Sequence, residues 1–353
     1  MSAVAGAEAG GAAGSGETLA DLLRAHFGHR DHLYGVLLAE MADDWEVGGL
    51  THELLEGWED APARQFPQLR LLAGLFRIVL RGDAPQLVGF YPCLGGDHDP
   101  EEAWAAVRPL MAAHVDELRE SLREAPQTNE PARTVGLLVG LAEAVRRSGL
   151  HRVRLLEPGA SAGLGLLVDR YRFVGDGWAA GPEASPFVVE GCGAPGFEPE
   201  PFEVVERRGC DVAPVDPTTP EGAAYLTSFV WPWHLERHER LAGALAVARE
   251  VAAPLDRAAA SAWVAQQLAR PVDDGVLTVV WHSVTRMYWP AEETAAMEAA
   301  VAEARARVPL AHISLEHPLP EGPGAPVGMP QVAVDGVVVA ETDHHGPPVR
   351  WTR

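Results

Sequence analysis

The chain has 353 residues, and 50 acidic against 28 basic side chains give a net charge of -22; with no lysine present, arginine supplies all the fixed positive charge. Such a surface repels phosphate backbones on average, which argues against DNA or RNA as a main partner. Cys93, Cys192 and Cys210 are odd in number and widely spaced, so neither a disulfide framework nor a zinc ribbon is indicated, and no apolar run reaches the ~18 to 20 residues of a membrane helix.

Residues 1–16, rich in Ala, Gly and Ser, lack the cationic start and apolar run of a signal peptide. They read as a disordered tail, and the protein as cytoplasmic. The length calls for more than one core: a helical domain over 17–149 and an α/β domain over 150–353. From Thr18 to Gly149 the apolar spacing is helical, as in Leu19, Leu22, Leu23 and Phe27, then Leu33, Val36, Leu37 and Met41, then Leu69, Leu72, Leu75 and Phe76. A further helix is expected over 101–123. Thr128-Asn129-Glu130-Pro131 reads as the start of another, with a capping oxygen and Pro in the first turn. In a second reading the polar side chains of Gln127 to Glu130 reach the functional cleft.

The first clear strand covers 152–157, and beyond it strands alternate with helices as in parallel α/β folds. The pattern predicts a helix over 164–171, strands over 187–190, 202–207 and 225–231, and helices over 235–250 and 257–268. A buried strand over 276–283, a helix over 291–307 and strands over 312–316 and 332–340 follow. Within the last, Asp335-Gly336 between β-branched runs is a hairpin signal. An antiparallel pair closing a parallel sheet is a feature of methyltransferase-like folds. The expected fold is therefore α/β, a Rossmann-like sheet of the S-adenosylmethionine methyltransferase type with a C-terminal antiparallel hairpin, behind an all-helical N-terminal domain. The Gly- and Pro-rich stretch 175–201 reads as an ordered insertion or lid.

The sharpest chemical signal is Leu155-Leu-Glu-Pro-Gly-Ala-Ser-Ala-Gly-Leu-Gly165. A strand ending in an acid, then small residues, then a helix lets backbone amides face a nucleoside or an amino-acid-like carboxylate. Glu157, Gly159, Ala160, Ser161 and Gly163 are the expected cofactor contacts, with Glu157 orienting the amino or ribose end of S-adenosylmethionine. A second acid is expected at the end of the next strand, where it accepts the ribose hydroxyls. Glu190 and Asp211 compete for that place. The same residues spell G-x-S-x-G, the nucleophile elbow of serine hydrolases, with Ser161 at its centre. A tight turn without a ligand is the third reading.

Ser228-Phe-Val-Trp-Pro-Trp-His-Leu-Glu-Arg237 reads as a loop over the cofactor, in which Arg237 clamps a substrate carboxylate or merely lies in a surface charge array. His234 and His238 stand four apart without a third ligand, so no metal site is expected. His282 and Ser283 fall at the C-terminal end of a buried strand, the edge where open α/β sheets place ligands. His282 is the best general-base candidate, since imidazole titrates near neutral pH, and Ser283 is a further catalytic candidate beside it.

These segments together resemble one family, the uncharacterised bacterial group termed domain of unknown function 2332. The likeness is carried by Gln127-Thr128-Asn129-Glu130, Glu157 to Leu164 with Asp169 to Phe173, Arg208-Gly-Cys-Asp211 with Pro214-Val-Asp216, Phe229-Val-Trp-Pro232 with Glu236-Arg237, His282-Ser283, and His345-Gly346 with Trp351. What the resemblance implies is a methyltransferase-like fold; it assigns no reaction. Gly165 stands where the family usually has Asn, and Trp233-His234 replaces its usual Asp-Gln. Three functions stay open: a methyltransferase-like transferase acting on a small molecule, a serine hydrolase, and a non-catalytic binding or scaffold protein.

Overall fold

A computed structural model describes residues 18–27, 29–59, 65–127, 129–251, 253–318 and 328–352. The tail expected at 1–16 lies outside the described residues, as does Thr128; the capping oxygen expected from the 128–131 segment is supplied by Glu130. The chain divides into two compact units, one running to residue 127 and including 220–238, the other holding the remaining described residues.

The first unit is helical, with α1 (Leu19–Ala25), α2 (Leu33–Glu46), α3 (Leu50–Leu54), α4 (Pro67–Leu80), α5 (Ala103–Ala113) and α6 (Val115–Arg123). The helix expected over 101–123 is broken at His114, which ends α5 and starts α6. Thr18 and Asp21 form a reciprocal cap on α1, satisfying amides that the first helical turn leaves open. After α7 (Thr134–Ser148), which belongs to the second unit, the chain supplies α8 (Pro220–Ser228) and the first turn of α9 (Leu235–Glu250) to the first. The strand predicted over 225–231 is thus a helix and a loop. Aromatic residues at 225, 229 and 231 favour strands locally, but tertiary contacts override that preference. The Tyr225 hydroxyl donates to the Ala125 carbonyl, its ring lies 4.9 Å from the Arg77 guanidinium, and Trp231 joins the core around Phe27.

The second unit is built on an eight-stranded, mostly parallel sheet. Its strands are β1 (Arg152–Pro158), β5 (Glu203–Asp211), β6 (Leu255–Arg257), β7 (Val276–Ser283), β8 (Leu310–Glu316), β9 (Gln331–Val334), β10 (Val337–Asp343) and β11 (Gly346–Trp351). A three-stranded side sheet holds β2 (Arg172–Gly175), β3 (Trp178–Ala180) and β4 (Val188–Val189). The segment predicted at 187–190 therefore pairs outside the main sheet, and 164–171 forms a short 3-10 turn from Leu164 to Arg170 instead of an α-helix.

The main sheet runs β6-β5-β1-β7-β8-β9-β10-β11, parallel from β6 to β8 and antiparallel from β8 onward. The order reverses direction between β1 and β7, the switch point outside whose strand ends open α/β sheets leave a crevice. The predicted hairpin is present: Asp335 and Gly336 have φ of 56° and 80°, as the two central residues of a type I′ turn require. A third antiparallel strand, β11, extends it. Helix α7 packs on β8 and β9, which places 129–148 in the second unit rather than with the other N-terminal helices. Its glycines permit the approach, since a Cβ on Gly140 would lie 2.4 Å from Ile313. The remaining helices, α10 (Ala260–Leu268) and α11 (Ala291–Ala304), help bury Leu156, Cys210 and Val280 in a core with Trp263 and Met297.

Candidate functional site

The turn after β1 is set by three left-handed residues, Gly159, Ser161 and Gly163, with φ of 73°, 53° and 71°. Its donors are used within the protein. The Ala160 amide donates to the Cys210 carbonyl, the Gly163 amide to Ala160, and the Ser161 amide to Asp211 Oδ2 at 2.9 Å, while the Gly159 amide is directed at the Cys210 thiol. The glycines are also required by packing. A Cβ on Gly159 would lie 2.7 Å from the Thr285 methyl, and one on Gly163 would lie 3.1 Å from Leu255. Asn129 Nδ2 donates to the Ala160 carbonyl at 2.9 Å, which ties the 127–130 segment to the turn after β1. Glu130 accepts from the Ala132 amide as a cap and lies within 4 Å of Arg240 and His345.

Glu157 ends β1 only 6% exposed. The Trp281 indole donates to its Oε1 at 3.1 Å, and its Oε2 has no hydrogen-bond partner among the described residues. Its carboxyl group leans on Gly165, whose missing side chain leaves the room: a Cβ there would sit 2.3 Å from Oε1. Burial, aided by the charge of Asp211 and opposed by the Trp281 hydrogen bond, pushes its pKa up to about 8. Asp211 ends β5, the strand beside β1, and its carboxylate accepts the amides of Ser161 and Ala213. Among the described residues neither Glu157 nor Asp211 is ion-paired. Of the two acids that competed for the second-strand position, Asp211 meets the turn; Glu190 lies exposed beside β4 of the side sheet.

At the next strand ends His282 is 3% exposed and has both ring nitrogens engaged, Nδ1 with Glu316 Oε1 at 2.7 Å and Nε2 with His312 Nε2 at 3.0 Å. Burial tends to raise the Glu316 pKa, but the His282 hydrogen bond and the Thr285 and Arg286 amides outweigh it and hold the carboxylate below its ordinary range. Burial, aided by His282 and the Arg305 guanidinium nearby, pushes His312 down to about 3, so its ring is neutral at pH 7. A substrate proton would reach His282 only by displacing one of these partners. Ser283 alternates with His282 across β7 and so faces the opposite side of the sheet. Arg237 belongs to the first unit, buried in the first turn of α9 with Nη1 3.3 Å from His234 Nδ1.

Ser161 has the left-handed backbone of a strained turn, yet among the described residues its buried Oγ has no hydrogen-bond partner, an imidazole included. Glu316 and His312 escaped the sequence reading, although an acid closing a predicted strand was the available signal for Glu316. In the first unit His29, Asp31 and His32 offer ligand atoms within 4.8 Å of one another. There His32 Nδ1 accepts the Gly35 amide to cap α2, which leaves the proton of the neutral ring on Nε2, the nitrogen that would face a metal.

The family described as "Uncharacterized protein conserved in bacteria (DUF2332)" matches residues 19–351. The chain belongs to this family. Comparison with curated proteins and with solved structures finds no match. Among the described residues no helix is long and apolar enough to cross a membrane.

Proposed function

We propose that this family member is a methyltransferase-like transferase that holds S-adenosylmethionine at the ends of β1 and β5 and acts on a small molecule. The observation that carries the reading is Asp211, an acid at the end of the strand beside β1 whose carboxylate is bonded to the glycine turn itself. In sheets with this strand order that acid accepts the ribose hydroxyls of a nucleoside. The proposed fold is accordingly Rossmann-like.

The nature of the turn favours this cofactor over a dinucleotide. Pyrophosphate needs free backbone amides and a positive field, whereas here the amides of Ala160, Ser161 and Gly163 are spent and two acidic side chains, the Asp211 carboxylate and the neutral Glu157 carboxyl group, stand at the neighbouring strand ends with no ion-pair partner among the described residues. A phosphate-free cofactor bearing ammonium and sulfonium charges fits such a donor set. When bound it supplies an activated methyl group. Asp211 would orient the ribose, Glu157 would furnish negative charge for the amino end on losing its proton, and Asn129 would hold the Ala160 peptide in place.

Calorimetric titration with S-adenosylhomocysteine tests the reading. Binding that weakens roughly ten-fold or more in Asp211→Asn, the loss typical of a hydrogen bond to a charged group, supports it; no heat at millimolar ligand removes it. The scaffold reading has one observation in its favour. Trp233, where the family usually has Asp, stacks on His32 at 3.8 Å and packs with Phe27 and Tyr34, so this position serves the core of the first unit. It predicts no binding in the same titration.

A further inference from the structure

The segment that follows β7 is held by one carboxylate from the neighbouring strand. Glu316 Oε1 accepts from His282 Nδ1 at 2.7 Å, from the amides of Thr285 and Arg286 at 3.0 and 3.3 Å, and from the Thr285 hydroxyl at 3.3 Å. These donors flank a bend whose first residue, Val284, has φ of 51°. For a β-branched residue that conformation costs on the order of 1–3 kcal/mol and persists only where the surroundings over-determine it. The bend in turn bears on the glycine turn. The Thr285 methyl and the Trp289 ring occupy the space beside Gly159, 2.7 and 3.4 Å from where its Cβ would be.

The geometry points to Glu316 as a positioning residue: by tying down residues 284–289 it holds Thr285 and Trp289 as a fixed wall of the site beside Gly159. The ligand-binding side of this assignment rests on the transferase reading above, whereas the clamp on the bend does not. Glu316 acts through Thr285 and Trp289. His282 fastens the carboxylate from inside the sheet, and His312 fixes His282 through Nε2, which gives the buried His282 and the part-buried His312 a task that no transfer step requires. The energetic logic is preorganisation. A wall already held in place lowers the ordering cost that a ligand would otherwise meet on binding.

Hydrogen exchange over residues 157–163 and 284–289, together with calorimetric titration of S-adenosylhomocysteine, tests this in the full chain carrying Glu316→Ala or Glu316→Gln. The Ala variant is expected to speed exchange at Thr285 and Arg286 about ten-fold, as loss of roughly 1.4 kcal/mol of local protection implies. Exchange at Gly159 to Ser161 is expected to rise with it, and binding to weaken about ten-fold. Glu316→Gln keeps an acceptor oxygen for the two amides and is expected to recover most of each effect, a rescue that mere loss of packing would not show. Unchanged exchange at 284–289 in the Ala variant overturns the clamp. Faster exchange there, with residues 159–161 and affinity unmoved, overturns the wall. Should the unaltered protein give no heat, the transferase reading falls, and the paired exchange of the two segments still decides the clamp. If Glu316→Ala does not fold, Glu316→Asp, which withdraws the oxygen by one methylene, is read in the same way.

Discussion

Replacing Glu157 with Gln isolates the free energy of a buried, protonated carboxyl group. Its pKa rises from an ordinary 4.5 to about 8 because burial strips water from the anion and Asp211 stands near, against the smaller opposing pull of the Trp281 indole. The folded chain therefore binds this proton more tightly than the unfolded chain. Stability from the group is full below pH 4.5 and is lost as pH rises through about 8, the reverse of a salt-bridged acid. At about 1.36 kcal/mol per pH unit the whole effect is about 5 kcal/mol, of which about 3 kcal/mol falls between pH 5.5 and 8.5. Gln preserves the shape and the oxygen that accepts from Trp281, but it does not ionise. Urea unfolding followed by circular dichroism at pH 5.5, 7 and 8.5 compares the two proteins. The variant is expected to gain about 3 kcal/mol on the original chain across that range, other titrating groups cancelling in the difference. Parallel stability curves would refute the assignment of Glu157 as a neutral acid at pH 7.

Helix α7 supplies an internal control on packing. In Gly140→Ala the new Cβ meets Ile313 at 2.4 Å, so the overpacking penalty of about 1–3 kcal/mol should exceed the roughly 1 kcal/mol gained in helix propensity. Gly136→Ala meets Val332 at 3.2 Å, a side chain that can give way, and should be neutral or stabilising. Equal unfolding midpoints for the two variants would show that the close approach of α7 to β8 is not what selects glycine. Incubation with a fluorophosphonate probe is expected to leave Ser161 unlabelled, since its buried Oγ has no hydrogen-bond partner among the described residues to activate it; labelling that disappears in Ser161→Ala would bring back the hydrolase. Gly165→Asn must displace the Glu157 carboxyl group, and the pH dependence described above should shrink as the amide finds Oε2. A pH profile identical to that of the original chain would contradict it.

Local chemistry was enough for the elements whose signals are short in range. The β-branched run of β7 predicts its strand over 276–283 end to end, and Asp335-Gly336 predicts the hairpin because a two-residue turn needs two residues that tolerate positive φ. The small residues from Gly159 to Gly163 likewise announced a tight bend after β1. What such patterns do not carry is partnership across the chain. Tyr225 to Trp231 reads as a strand by composition, yet contacts with Arg77, Ala125 and Phe27 make it helix and loop. Glu190 and Asp211 are equivalent as loop acids in the sequence, and pairing of β5 with β1, not of β4, decides which one reaches the turn. The amides of that turn looked free for a ligand until Cys210, Asp211 and Ala160 proved to occupy them. Glu316 and His282 are 34 residues apart, and their meeting follows from the register of β7 on β8. Periodicity and turn propensity are properties of neighbours in sequence; the site is made of hydrogen bonds between strand ends, whose positions depend on the order in which the sheet assembles.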